Sequence, residues 1–250
     1  TPASRTTPDA LELQSLLRKM VDVGVEYVVM EVSSHALDQH RLAMVRFDVT
    51  AFTNLSHDHL DYHSDFEAYF KAKSLLFLNH LKENGSAVVT MQPSAGDGPD
   101  WGEKMGQFCI DIGARTIRCG DHSEADVKLV NQQFDLGGSR CELYEKNETY
   151  QLQSPLVGRF NIENLITTFT ITKALGKARD EVLPRLAVAT GAPGRLERVA
   201  IPKQFRMNIP EVFVDYAHTP DALSKVLETL NEIEHRDLYC VFGCGGDRDD

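Results

Sequence analysis

Ser56-His57-Asp58-His59-Leu60-Asp61-Tyr62-His63 places three of the chain's nine histidines and two aspartates within eight residues. Such a density of imidazole and carboxylate donors suits a divalent metal. His59 alone reads as a hydrogen-bonded loop histidine; beside His57 and His63 the metal-ligand reading is the stronger one. Glu31, closing an apolar run, adds a carboxylate next to Val32-Ser33-Ser34-His35, where hydroxyls at a helix start can meet an anion. Lys73 lies in a helical stretch from Tyr69 to Phe77, and neither composition nor spacing separates it from Lys71. Gly158-Arg159-Phe160-Asn161-Ile162-Glu163-Asn164 opens a helix with two asparagines three residues apart. Paired amides can read an adenine edge, although capping alone accounts for Asn161. Arg195, in Gly194-Arg195-Leu196-Glu197, and Asp215, in Asp215-Tyr216-Ala217-His218-Thr219-Pro220, are weak signals taken singly.

The elements that must position these groups alternate in type. Thr7-Pro8-Asp9 predicts a helix start with Pro in the first turn, and Leu13, Leu16, Leu17, Met20 and Val21 carry helical spacing to a stop at Gly24. Val25 to Val32 is almost continuous in β-formers, which predicts a parallel strand buried on both faces. Strands are expected at Asp48 to Asn54, Ser86 to Thr90, Glu211 to Tyr216 and Asp237 to Phe242. Helices are expected at Ser64 to Leu81, with Ser64 and Glu67 as a capping box, at Gly158 to Gly176, at Asp180 to Ala189 and after Thr219-Pro220-Asp221. Met91 to Trp101 reads as a Pro/Gly-rich connection. About Cys109 to Gln153 reads as an antiparallel β subregion with turns at Gly137-Gly138 and Lys146-Asn147. The fold class is therefore α/β, a mostly parallel sheet flanked by helices, and Glu31, Asn54, Asp215 and the loop after Phe242 are expected on the rim where ligands gather beyond strand ends.

The 250 residues are 42% hydrophobic, enough for a sizeable core, and a net charge of -11 disfavours nucleic acid or an anionic membrane surface as the main partner. Anionic substrates must then be met by local arginine, backbone N–H groups and metal. Five cysteines without a paired framework fit free thiols in a reducing compartment. Without an apolar run of about 18 residues or a signal-like segment, a soluble cytoplasmic protein without membrane insertion is expected.

TTPDALELQ from Thr6, MEVSSHAL from Met30, FTNLSHDHLDYH from Phe52, YFKAKSLLF from Tyr69, GRFNIEN from Gly158, GRLE from Gly194, VDYAHTPDAL from Val214 and VFGCGGDRD from Val241 occur in this order. Together they resemble the Mur ligases of peptidoglycan synthesis, and most closely the member that adds the third residue to UDP-MurNAc-L-Ala-D-Glu. The resemblance implies an ATP-dependent amide ligase that works through an acyl phosphate, with Mg2+ neutralising phosphoryl charge. It implies Glu31, His59 and Lys73 at the metal, Lys73 carrying a CO2-derived carbamate. It implies Asn161 and Asn164 at the adenine of ATP, Arg195 and Asp215 handling phosphate and nucleotide, and Thr6, Thr7, Ser33, Gln39 and Arg41 holding the muramoyl dipeptide. Lys73, Arg195 and Asp215 are the implied catalytic set. The FGCGGDRD string resembles the type that adds meso-diaminopimelate more than the type that adds L-lysine, and a monomer is expected.

One departure stands out. The family's phosphate-binding GxxGK[ST] string is absent. The expected organisation is an N-terminally truncated central domain over 1–235, with the β-rich subregion at about 109–154, and the first strand of a C-terminal Rossmann-like domain at 236–250. Such a piece is expected not to ligate by itself. Rival readings are folylpolyglutamate synthase, a non-catalytic remnant, and a metal-dependent hydrolase. Against the last, Tyr62 intervenes before His63 and breaks the register of an HxHxDH string. VSSHALDQHR argues against folylpolyglutamate synthase, and the retention of Glu31, His59 and Lys73 argues against a remnant.

Overall fold

The computed structural model describes residues 6–55, 62–92, 99–200 and 210–243. The chain divides into two units, Thr1–Ala125 and Asp126–Asp250.

In the first unit helix α1, Ala10–Asp22, begins two residues later than expected. Asp9 is its N-cap and accepts the Glu12 N–H at 2.9 Å, because the Thr7 hydroxyl is engaged elsewhere. At the other end Gly24 has φ +78, its N–H reaches Val21 O at 3.0 Å, and the Val25 N–H reaches Met20 O at 2.9 Å. This pair of bonds is a Schellman closure, which needs a residue at ease with positive φ. Short helix α2, Ser34–Asp38, and strand β1, Phe47–Phe52, follow. Helix α3, Phe66–His80, is capped by Asp65, whose carboxylate accepts the Ala68 N–H at 2.8 Å. Ser64 instead donates to Asp65, so the expected Ser64 cap is corrected in favour of the stronger, charged acceptor.

Strand β2, Leu81–Met91, helix α4, Trp101–Asp111, and strand β3, Arg115–Gly120, complete this unit. β1 pairs with β2 and β2 with β3, both parallel, with Phe52 opposite Val89 and Met91 opposite Gly120. Ala87, Val89 and Met91 of β2 pack with Phe70 and Phe77 of α3 and Met105 and Cys109 of α4. α4 stands where a connection and the start of the β subregion were expected. Gly102, Met105, Gly106 and Cys109 form its buried face at helical spacing, and the two glycines lower the propensity that would have announced it. Gly120 has φ +133, and a Cβ there would stand 2.0 Å from Met91 O.

The expected strand at 25–32 does not form. Apolar Met30 and Val32 pack on a cluster of Leu13, Leu37 and Leu42, but Val29 is 96% exposed, and among the described residues no strand pairs with this stretch. β-propensity describes a side chain's fit to a half-buried pleated surface; the strand itself needs a partner's N–H and C=O groups. The same correction applies to the strand expected at 237–242, where Val241 is 99% exposed and no pairing is made among the described residues.

In the second unit β4, Val127–Asp135, β5, Gly138–Glu145, and β6, Glu148–Ser154, form an antiparallel meander. Lys146 and Asn147 have φ 48 and 65, as a two-residue type I′ hairpin requires. The antiparallel subregion is thus narrower than expected, since β3 is parallel. Helix α5, Arg159–Ala174, buries Ile162, Ile166 and Phe169. Helix α6, Arg179–Leu186, the two-residue strands β7, Glu197–Arg198, and β8, Phe213–Val214, and helix α7, Pro220–Asn231, follow. β7 and β8 pair antiparallel, and Thr219 caps α7 by accepting the Ala222 N–H at 3.3 Å. No helix among the described residues is long and apolar enough to cross a membrane.

Candidate active site

Thr7 is the hub of the cluster in the first unit. It is 1% exposed; its hydroxyl donates to Glu31 O at 3.0 Å and accepts the Ser33 N–H at 3.1 Å. Its own carbonyl accepts from Arg41 Nη1 at 3.1 Å. One buried threonine thereby fixes the backbone on both sides of Val32 and one arm of a guanidinium. Arg41 Nε donates to Gln39 Oε1 at 3.0 Å, and Arg41 Nη2 donates to the same oxygen. Gln39 Nε2 in turn reaches the Tyr62 hydroxyl at 3.4 Å, which donates to Asp38 Oδ2 at 2.6 Å. Ser33 caps α2 by accepting the Ala36 N–H at 3.2 Å. The Glu31 carboxylate is exposed, and among the described residues it accepts no hydrogen bond. Thr6 is exposed beside Thr7.

The structure therefore brings Thr7, Glu31, Ser33, Gln39 and Arg41 together. His59, with His57, Asp58 and Asp61, lies outside the described residues. His63 of the same string lies within the described residues. It is buried, its Nε2 is 2.9 Å from Ser34 Oγ, and its ring stacks on Tyr69 with centroids 5.0 Å apart. Lys73, one helical turn after Tyr69, holds its Nζ 4.8 Å from the centroid of that ring. The environment that sequence could not assign to Lys73 is thus an aromatic one, whereas Lys71 is exposed.

In the second unit Asp215 joins two loops. Its Oδ2 accepts the Leu196 N–H and its Oδ1 the Ala217 N–H, each at 2.7 Å. The Tyr216 N–H donates to Gly194 O at 2.7 Å, and Glu197 accepts the Gly194 N–H at 2.7 Å. Leu196, buried and at φ 43, occupies a conformation that branched side chains disfavour. The loop so held carries Arg195, exposed, with its guanidinium 5.8 Å from the Tyr216 ring centroid. Just beyond, Arg198 meets Glu211 through two bonds of 2.7 and 2.6 Å, and this hydrogen bonding raises the arginine's pKa.

Asn161 and Asn164 are not equivalent. Asn161 is buried and its Nδ2 donates to Val157 O at 2.8 Å, while Asn164 is exposed. Sequence reasoning did not find the Tyr62–Asp38 bond, the His63–Tyr69 stack or the positive φ of Leu196. Only the spacing of Tyr69 and Lys73, one helical turn apart, offered a signal.

A further ligand-like group is formed by Asp100, Glu103 and His122, whose ligand atoms lie within 4.8 Å of one another. His122 Nδ1 accepts the Glu124 N–H at 3.2 Å, so the ring proton sits on Nε2, facing Asp100 Oδ2 at 3.6 Å. The Nε2 side of the ring thus places the turn after β3 beside the two carboxylates at the start of α4.

Comparison with known proteins adds a family to this geometry. Residues 1–172 match the model of the Mur ligase middle domain, and residues 194–250 match that of the Mur ligase glutamate ligase domain. A UDP-N-acetylmuramoyl-L-alanyl-D-glutamate--2,6-diaminopimelate ligase of Prochlorococcus marinus (strain MIT 9313) is 41% identical over 99% of this chain and 49% of its own length. One so named from Gloeobacter violaceus is 42% identical over 99% of this chain and 47% of its own. A solved structure of a ligase with this name superposes with a TM-score of 0.75 at 33% identity, covering 96% of this chain and 47% of that one. The chain spans about half the length of the curated relatives it matches.

Proposed function

This chain belongs to the Mur ligase family, and on that premise we propose that it is part of a cytoplasmic, ATP-dependent ligase that adds meso-diaminopimelate to UDP-MurNAc-L-Ala-D-Glu through an acyl phosphate. The observation that carries the reading is the Thr7 hub, because it ties Ser33 and Arg41, and through Arg41 Gln39, the positions proposed for the muramoyl dipeptide, to the backbone of Glu31, whose carboxylate is proposed for the metal.

Arg41 uses three N–H groups on Thr7 and Gln39, which leaves two of a guanidinium's five for a carboxylate or phosphate of the substrate. Its fork is aimed in advance, so little rotamer freedom is lost on binding. Thr6 precedes Thr7 in the chain, and the Ser33 N–H donates to the Thr7 hydroxyl. Asn161 spends one amide hydrogen on Val157 O and keeps its other hydrogen and its oxygen for an adenine edge, with exposed Asn164 one turn on. Asp215 gives one carboxylate oxygen to each of two backbone N–H groups. Its work is therefore to hold the loop from which Arg195 meets phosphate.

Glu31, His59 and Lys73 would hold magnesium, which when bound supplies charge neutralisation at the phosphoryl oxygens. The donor chemistry fits in part on the described residues. The Glu31 carboxylate is a hard oxygen donor, exposed and unengaged among those residues. Lys73 as an ammonium has no lone pair to give, and a carbamate made from CO2 would turn it into an oxygen donor.

The test is a chimera of the Prochlorococcus relative in which its matched half is replaced by these 250 residues. ATP-dependent transfer of meso-diaminopimelate to the UDP-muramoyl dipeptide is expected, with most of it lost in Lys73→Ala and partly restored by short-chain carboxylates. A folded chimera whose turnover is indifferent to Lys73→Ala would remove the carbamate role, and one that consumes no ATP with these substrates would remove the ligase reading.

A further inference from the structure

His63 is a histidine in a place where packing alone would accept phenylalanine. Both His63 and Tyr69 are buried, at 6% and 5% exposure, and their rings stack at 14° between planes. Tyr62 meets the His63 ring edge-on at 4.9 Å, and the His35 ring lies 5.7 Å away. Burying an imidazole is costly unless its nitrogens find partners, and here Nε2 meets Ser34 Oγ at 2.9 Å. That contact fixes the rotation of the ring, which stacking alone would leave free. Ser34 opens α2, next to Ser33 and close to Glu31; Tyr69 and Lys73 share α3. The column Ser34, His63, Tyr69, Lys73 therefore runs from the helix that borders the Thr7 cluster to the amine on α3.

We propose that His63 and Tyr69 are positioning residues for Lys73: the imidazole, locked by Ser34, fixes the phenol ring over which the Lys73 amine is held. The proposal rests on the reading above only in making Lys73 the amine that matters to the reaction. Position is what it asserts, so it can be measured without turnover.

The experiment is competitive acylation of the 250-residue chain by a limiting dose of an amine-reactive reagent, with Lys73 and Lys71 quantified by peptide mass spectrometry. Lys71, exposed on the same helix, is the internal reference, because loosening of α3 as a whole would raise both lysines together. The Lys73-to-Lys71 ratio is expected to rise about threefold in His63→Ala and in Tyr69→Leu, the size of one partly buried cation–ring contact. Tyr69→Phe, which keeps the ring face, should leave it unchanged. An unchanged ratio in folded His63→Ala and Tyr69→Leu, or a parallel rise of both lysines, overturns the proposal. Should those variants fail to fold by circular dichroism, Ser34→Ala decides: a raised ratio supports the column and an unchanged one overturns it. Failure of the chimera to ligate leaves this ratio untouched, so the two readings fail separately.

Discussion

Asp215→Asn is the substitution that best tests how the Arg195 loop is held. Each carboxylate oxygen of Asp215 accepts a backbone N–H at 2.7 Å, from Leu196 and from Ala217. A carboxamide offers one oxygen, so in either orientation its NH2 faces an N–H: one bond is lost and a donor meets a donor. Hydrogen bonds to a charged group contribute about 1.5–3 kcal/mol when buried, and about 1 kcal/mol each is reasonable at this half-buried position. Asparagine loses one bond and the charge on the other, roughly 1.5 kcal/mol, and Asp215→Ala roughly 2 kcal/mol. Relaxation of Leu196 from φ 43, worth on the order of 1 kcal/mol, adds to the drive to open. Trypsin at Arg195–Leu196 reads that opening directly. Cleavage there is expected to accelerate about tenfold in Asp215→Asn, since about 1.4 kcal/mol is a factor of ten, and about thirtyfold in Asp215→Ala. Cleavage at Arg185, on α6, should not change. Asparagine cleaved at the wild-type rate would refute the argument, as it would show that the two carboxylate bonds do not hold the loop closed.

Three other outcomes follow from local physics. Thr50 Oγ1 is buried and is the side-chain atom left without a hydrogen-bond partner among the described residues, so Thr50→Val should raise stability by about 1 kcal/mol in urea unfolding. Gly120→Ala would drive a Cβ against Met91 O at 2.0 Å from a backbone at φ +133, and a loss of about 3 kcal/mol or more is expected by the same measurement. Burial pushes the Cys109 and Cys141 thiols from 9.0 up to about 12. The folded chain thus keeps protons that the unfolded chain releases near pH 9, and the stability this contributes is complete below that pH and lost as pH rises towards 12. Replacing both by alanine should flatten the fall of the urea midpoint between about pH 9 and 12, and exposed Cys240 should be alkylated well before either.

Periodicity and turn chemistry carried much of the fold. Leu13, Leu16 and Leu17 with Gly24 announced α1; Lys146-Asn147 announced the β5–β6 hairpin. The failures share a cause. Val25 to Val32 and Asp237 to Phe242 have strand composition, yet a strand is a property of two segments, and composition reports only one. α4 was hidden for the opposite reason: Gly102 and Gly106 sit on its packed face, where close approach to Thr90 and Met91 of β2 and to Arg118 of β3 matters more than propensity. The capping errors at Thr7 and Ser64 came from treating any hydroxyl before a helix as its cap, when an aspartate nearby competes and wins.

The site was legible in its residues and illegible in its connections. Sequence grouped His63 with His57 and His59 by proximity, whereas the fold brings its Nε2 to the Ser34 hydroxyl, 29 positions away. Lys71 and Lys73 are alike in composition and differ in azimuth: Tyr69, Phe70 and Phe77 set the buried side of α3, and only Lys73 lies one turn from the Tyr69 ring. Thr7 reads as a helix cap and acts as a clamp on Glu31, Ser33 and Arg41. In each case the residue type defines a set of bonds that the side chain can make, and the distant segment that folds against it selects among them. The Ser34 hydroxyl makes that selection for His63, and through Tyr69 for Lys73, which is why the chemistry proposed for the amine on α3 depends on a hydroxyl at the start of α2.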